Sequence, residues 1–329
     1  MTNRQTPGFQ TLLPEQILRC IESTGLRCNG DLLALNSYEN RVYRVGLEND
    51  QRVVTKFYRP ARWSDEAILE EHAFAAELDA LEVPVVPPIA SDGQTLHRID
   101  EFRFSIYPFM PGRWPALDTT ATLRQLGRLC ARMHLAGEQR TFAHRHEIEP
   151  ISFGYDSRDF LLDNEVIPPD LEDAYATLAD DLLERIDYWF DAADHARRLR
   201  IHGDLHPGNV LQHGETLTIV DTDDAHTGPA IQDLWMFLSG DQDEQRQQLE
   251  PLLEGYRPFR PFADDELALI EPLRSLRLMH YAAWLARRWQ DPAFQAAFPW
   301  FDSVRYWNEH ILALREQLAL LHEPPIYAG

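Results

Sequence analysis

Cysteine is scarce in this chain, and Cys20, Cys28 and Cys130 are odd in number and lack the paired spacing of a zinc site or disulfide framework. Reduced thiols are expected, as in cytoplasm. No apolar run approaches the length of a membrane-crossing helix. Residues 1–10 lack a basic stretch followed by an apolar one, so no secretory signal is visible. Positive charge is also short. Thirty-one Lys plus Arg against 53 Asp plus Glu leave a formal net charge of −22, which disfavours polyanionic partners such as nucleic acid. Neither a Gly-rich kinase loop nor a P-loop motif occurs, and there is no internal repeat or low-complexity tract. We therefore expect a cytoplasmic, monomeric protein whose partners include neither membrane nor nucleic acid. Its 329 residues, 44% of them hydrophobic, suffice for two lobes with a real core.

The informative stretch is Ile201-His202-Gly203-Asp204-Leu205-His206-Pro207-Gly208-Asn209-Val210-Leu211, followed by Thr218-Ile219-Val220-Asp221-Thr222-Asp223-Asp224. Asp204 and Asn209 have the spacing of a kinase catalytic loop. Phosphoryl transfer asks little covalent help of a protein, so it needs a base beside the acceptor hydroxyl and magnesium beside the phosphates. Asp204 suits the first role. Asn209 and Asp221 offer the hard oxygen ligands that Mg²⁺ prefers. Pro207 and Gly208 break any helix between Asp204 and Asn209, so both side chains can turn toward one cavity. Asp221 is the first polar residue after the β-like run 217–220, and Asp223 or Asp224 remains an alternative metal contact. His202 and His206 stand at i, i+4 like a zinc pair, but Gly203, Pro207 and Gly208 oppose the helix that such a pair needs. His202 reads better as a packing and hydrogen-bonding support.

The run from His202 to Asn209, followed by Ile-Val-Asp-x-Asp-Asp, resembles the aminoglycoside phosphotransferase and choline kinase-like family. Residues 35–43, 56–60, 228–235 and 298–300 extend the likeness nearly end to end, toward bacterial serine/threonine protein kinases built on that fold. The resemblance implies an α+β, bilobal, protein-kinase-like fold with a small mixed-sheet N-terminal lobe and a larger, mainly helical C-terminal lobe. It also implies ATP and Mg²⁺ as cofactors, Ser/Thr hydroxyls of protein as acceptors, and a role in stress response. Self-phosphorylation is left open. The second reading is a small-molecule kinase acting on an amino alcohol or aminoglycoside, which needs the same core.

In chain order, residues 14–24 read as a short helix with Pro14 in its first turn and Gly25 to end it. Strands follow at 32–35, 41–45 and 52–57, with a turn at 46–51. The connection 36–40 falls where a kinase covers the phosphates, and the resemblance places Ser37 at the nucleotide. Lys56 is a cation in an apolar strand, which in a kinase meets the α- and β-phosphates and is steadied by a helix glutamate. The helix expected over 64–80 offers Glu70 and Glu71, and Glu71 is preferred because Phe74 and Leu78 share its face. Segments 84–88, 95–98 and 102–107 should complete a small antiparallel sheet, and 107–112 then interrupts all periodicity as a linker does. Backbone groups around Ile106, Pro108 and Phe109 should read the adenine edge.

Beyond the linker, 119–136 is amphipathic, with Gly137 placed to close the helix and His134 read as a satisfied core residue. Residues 147–169 read as irregular, 171–198 as helix, and 267–290 as a helix whose dense aromatics suit a core, although the resemblance implies that Tyr281 and Trp284 line the acceptor site. The family's Asp at position 233 braces the metal loop. The expected organisation is a nucleotide-binding lobe over 1–106, a linker over 107–113 and a catalytic and substrate lobe over 114–329.

Overall fold

The computed structural model describes residues 9, 12–193 and 196–326, so the expectation for residues 1–10 lies, apart from Phe9, outside the described residues. The chain forms two compact units: residues 1–115, 143–145 and 208–223 in the first, and 116–142, 146–207 and 224–329 in the second. The first unit thus gathers short segments from beyond residue 115 that a linear division leaves with the later part of the chain. The class is α+β, as expected.

The first unit opens with α1 (Pro14–Glu22), β1 (Cys28–Ala34), β2 (Arg41–Leu47), β3 (Arg52–Phe57), α2 (Asp65–Ala80), β4 (His97–Ile99) and β5 (Phe102–Pro108). The strands form one sheet in the order β1-β2-β3-β5-β4, every pairing antiparallel. Alternation along β3 sends Val53 and Phe57 into a core with Ile17 and Ile21 of α1 and Phe104 and Ile106 of β5. Lys56 therefore points to the opposite face, where Tyr58 and Tyr107 hydroxyls lie 2.8 and 3.5 Å from His72 of α2. Ser64 caps α2 by accepting from the Ala67 N–H at 3.1 Å.

Residues 84–88 do not join this sheet. Pro84, Pro87 and Pro88 have no N–H to give a ladder, and Val85 instead makes an isolated parallel bridge to Ile219. Within the expected linker, Arg113 exchanges both backbone hydrogen bonds with Gln212, at 3.1 and 2.7 Å.

The second unit begins with α3 (Thr120–Gly137). Gly137 is its last residue, not a left-handed cap: a Cβ there would stand 2.1 Å from the Arg200 carbonyl oxygen, so glycine is required by the close approach of the chain at Arg200. Residues 147–169, read as irregular, contain a π-helical turn (Pro150–Tyr155) and α4 (Asp156–Asp163). The helix α5 (Pro169–Ala192) stops short of the expected residue 198; 194–195 lie outside the described residues, and β6 (Leu199–Ile201) follows.

A hairpin of β7 (Val210–His213) and β8 (Thr216–Ile219) belongs to the first unit. The second unit then resumes with β9 (His226–Gly228), which pairs with β6, and α6 (Gln232–Trp235), α7 (Gln242–Tyr256), α8 (Ile270–Arg288), α9 (Pro292–Ala297) and α10 (Val304–Leu320). Trp307 of α10 is fully buried against Tyr175 of α5, with ring centroids 6.3 Å apart. Among the described residues no helix is long and apolar enough to cross a membrane.

Candidate active site

In the first unit Lys56 Nζ lies 2.5 Å from Asp221 Oδ1. The lysine side chain is only 7% exposed and the aspartate 49%, so the cation is held by protein while the carboxylate still faces outward. Burial alone would lower the Lys56 ammonium, but the charges of Asp221, Asp223 and Glu71 together hold it above the ordinary lysine value.

Asp221 follows β8 with φ of 60°, a left-handed backbone that costs a non-glycine residue roughly 1–2 kcal/mol. Its neighbours on both sides are pinned. The Val220 N–H donates to the Asn209 carbonyl at 3.0 Å. Thr222 Oγ1 donates to Glu71 Oε1, and Glu71 is fully buried. Asp223 Oδ2 accepts from Asn40 Nδ2 at 2.9 Å and pairs with the Arg62 guanidinium. Arg145 Nη1 donates to the Asp223 carbonyl at 2.6 Å while its Nε donates to the Ala67 carbonyl of α2 at 2.8 Å. Burial would push the Asp223 carboxyl up, yet Arg62, Lys56, Arg145 and the Asn40 amide hold it well below the usual carboxylate range. The helix glutamate thus grips the loop beside Asp221, and Lys56 takes the aspartate itself. Glu70 turns outward and accepts from the Ala143 and His144 N–H groups at 2.7 and 2.8 Å, which leaves Glu71 as the inward residue.

The expected nucleotide residues sit around the sheet. Ser37 is half-buried in the β1–β2 connection. Ile106 is buried in β5, and its carbonyl already accepts from the Ile89 N–H at 2.6 Å. Pro108 ends that strand, and the Phe109 N–H donates to the Arg52 carbonyl at 3.4 Å.

In the second unit the loop after β6 carries Asp204. Gly203 has φ of 81°, and a Cβ there would stand 2.2 Å from the Asp224 carbonyl oxygen, so no other residue fits. Asp233 at the start of α6 accepts from the His202 and Gly203 N–H groups at 2.8 and 2.9 Å. His134 Nε2 lies 3.1 Å from Asp233 Oδ2 and its Nδ1 lies 2.9 Å from Tyr256 Oη. Asp233 thus braces the loop that carries Asp204 rather than the expected metal loop at residues 221–224, and His134 is the satisfied core residue expected. His202 is fully buried, and its Nδ1 accepts from the Asp204 N–H at 3.3 Å. Residues 202–206 are not helical, which removes the zinc-pair alternative.

Arg277 of α8 donates from Nη1 to Asp204 Oδ1 at 2.6 Å, and His206 Nε2 lies 3.7 Å from Oδ2. Further along α8, Tyr281 stacks on Trp284 with centroids 5.6 Å apart. The sequence reading gave no role to Asn40 and Thr222, although both lie in stretches that it singled out, and it did not single out Arg62, Arg145 or Arg277. Only the acidic Asp223 and Asp224 beside Asp221 hinted that this loop needs cationic neighbours.

The first unit holds a lysine–aspartate pair and the second a glycine-turned aspartate braced from a helix, the residue types that a phosphotransferase of the kinase type uses. The pattern of the phosphotransferase enzyme family matches residues 31–270, and the chain belongs to that family. It is 44% identical over 319 residues to stress response kinase A of Salmonella choleraesuis, covering 97% of this chain and 96% of the relative. The protein of the same name from Escherichia coli K12 is 43% identical over 325 residues, 98% of each chain. A Salmonella typhimurium relative, 44% identical over 97% of this chain and 96% of its own, is named serine/threonine protein kinase RdoA. In fold, amicoumacin kinase hAmiN, solved with AMP-PNP, Ca²⁺ and Ami, superposes with a TM-score of 0.71 at 20% identity, covering 95% of this chain and 94% of that one. A microcompartment-associated aminopropanol kinase superposes at 0.64 and 20% identity, over 93% and 96%.

Proposed function

We propose that this kinase transfers the γ-phosphoryl group of ATP to serine or threonine hydroxyls of protein in a bacterial stress response. The observation that carries the reading is the 2.5 Å pair of Lys56 and Asp221, two residues that kinase chemistry assigns to the phosphates and the metal. Lys56 binds the α- and β-phosphates, Ser37 and the backbone near it cover them, and the backbone of Ile106, Pro108 and Phe109 meets the adenine. Glu71 positions the metal loop through Thr222. Asp204 orients the acceptor hydroxyl and takes its proton.

The donor chemistry fits Mg²⁺: Asn209 and Asp221 offer one amide and one carboxylate oxygen, linked through the Val220 to Asn209 hydrogen bond, and Mg²⁺ favours one or two such ligands with phosphates supplying more. When bound, the ion would neutralise phosphate charge as it develops. We assign nucleotide binding to residues 1–106, the linker to 107–113 and acceptor chemistry to 114–329, in a cytoplasmic monomer. The near end-to-end likeness to a relative named serine/threonine protein kinase supports protein acceptors.

A second reading, a small-molecule kinase, is favoured by the fold likeness to aminopropanol and amicoumacin kinases. Incubation with γ-labelled ATP, a protein extract and a panel of amino alcohols and aminoglycosides separates the two. Label on extract proteins, or on the enzyme's own hydroxyls, supports the first reading. Label confined to small molecules overturns it.

A further inference from the structure

The connection between β1 and β2, residues 35–40, has no glycine, so it lacks the backbone freedom with which a glycine-rich loop fits itself around phosphates. It is fastened instead by side chains. Asn40 is 4% exposed and uses both ends of its amide: Oδ1 accepts from the Arg59 N–H at 3.1 Å, and Nδ2 donates to Asp223 Oδ2 at 2.9 Å. Arg59, just beyond β3, in turn donates from Nε to the Glu39 carbonyl at 2.9 Å and from Nη2 to the Tyr38 carbonyl at 3.3 Å. Residues 38–40 are thereby held to the chain after β3, and Asn40 also to the loop that carries Asp221. All of these groups lie in the first unit.

An asparagine that only shaped a turn would bond to its own near neighbours in the chain. Asn40 bonds instead to residues 19 and 183 positions away. The choice of side chain is dictated as well. The Arg59 N–H needs an acceptor, and the Asp223 carboxylate, held ionised against its burial by Arg62, Lys56 and Arg145, needs a donor. An amide offers one of each on a short stem. An aspartate in its place would set oxygen against oxygen, and an aliphatic residue would leave both needs unmet.

We propose that Asn40 is a positioning residue that fixes the phosphate-covering connection against the loop that carries Asp221, so that the nucleotide's phosphates and their metal meet two segments already set relative to each other. The proposal rests on the reading of residues 36–40 as the phosphate cover and of Asp221 as a metal ligand. Asn40 itself contacts neither nucleotide nor metal; it acts through Arg59 and Asp223. A connection ordered before the nucleotide arrives spares binding the entropy cost of ordering it. Losing the link therefore weakens binding of the triphosphate and raises the Mg²⁺ requirement together. Adenosine, which has no phosphates, is bound as before.

The test compares wild type, Asn40→Ala, Asn40→Asp, the exchanged pair Asn40→Asp with Asp223→Asn, and Asp221→Asn as a control for the metal reading. Asn40→Ala should raise both the Kd for AMP-PNP and the Mg²⁺ concentration for half-maximal transfer by about tenfold, in keeping with the loss of one hydrogen bond to a charged group, with the Kd for adenosine within about twofold. Amide hydrogen exchange of residues 36–40 in the nucleotide-free protein should speed up, while that of β2 and β3 holds. Asn40→Asp should be worse, because two carboxylates then face each other. The exchanged pair restores one donor opposite one carboxylate and should recover at least about fivefold over Asn40→Asp. It keeps the buried volume and charge of wild type, so it decides the matter where a single variant does not fold. AMP-PNP affinity and Mg²⁺ requirement within about twofold of wild type in Asn40→Ala overturn the proposal, as does an exchanged pair no better than Asn40→Asp. So does an equal loss of adenosine and AMP-PNP binding, which would make Asn40 a support of the sheet alone. If Asp221→Asn raises the Mg²⁺ requirement and Asn40→Ala does not, only this proposal fails; if Asp221→Asn leaves it unchanged, the metal reading fails first.

Discussion

Glu71 of α2 accepts a hydrogen bond from Thr222, the residue after Asp221, and not from the β3 lysine. The helix is thereby tied directly to the loop that carries Asp221. Arg145 repeats the link from another side, through the Ala67 and Asp223 carbonyls, so α2 and residues 221–223 are joined at two places.

Lys56→Met should raise KM for ATP by tenfold or more, because the phosphates lose their buried cation. It should also lower stability by about 1–3 kcal/mol, since Asp221, Asp223 and Glu71 lose the charge they share. Nucleotide titration and urea unfolding read the two effects. Unchanged ATP affinity would show that Lys56 serves only the loop.

Asp223→Asn should cost roughly 1–3 kcal/mol, because Arg62 loses the carboxylate that it pairs with and Lys56 and Arg145 lose a neighbouring negative charge. It should also raise the Mg²⁺ concentration needed for activity, as Asp221 loses a support for its left-handed backbone. The native carboxyl is held low, so its contribution is full above the unfolded carboxylate value and fades as pH falls below about 4. Unfolding of wild type and Asp223→Asn at pH 7 and pH 3 should therefore show the gap narrowing in acid. A constant gap would contradict the assignment.

Glu266 is 1% exposed and accepts from the Ile231 N–H at 3.1 Å, at the foot of the helix carrying Asp233. Burial pushes its carboxyl up to about 7, even though the Ile231 N–H and Arg260 oppose the rise. The folded state therefore keeps a proton that the unfolded chain has released. That contribution to stability is present below the ordinary glutamate value of 4.5 and is lost as pH rises through about 7. At roughly 1.4 kcal/mol per unit, wild type should lose a few kcal/mol between pH 5 and pH 8 that Glu266→Gln does not. Equal pH slopes in denaturant unfolding would refute this.

The candidate site could be proposed from the sequence because its residues stand in short-range patterns. Asp204 and Asn209 sit five apart, Asp221 ends a strand, Lys56 breaks an apolar alternation, and Glu71 shares a face with Phe74 and Leu78. The clamp on Asp223 could not be read that way. Asn40, Arg62 and Arg145 come from 183, 161 and 78 residues away, and arginines in loops look alike until a fold brings one to a buried carboxylate. Arg277 was hidden similarly, as one of several arginines on α8. In the fold, the error at residues 84–88 came from scoring apolar pattern over missing N–H donors. The overlong α5 came from a helical pattern that continues beyond Ala192, up to the start of β6 at Leu199.

The central claim is that Asp204 carries the chemistry of transfer and not the binding of nucleotide. The most direct measurement is the single-turnover rate of phosphoryl transfer by Asp204→Ala, taken alongside its affinity for ATP. Transfer should vanish with ATP affinity unchanged; transfer at the wild-type rate would contradict the account.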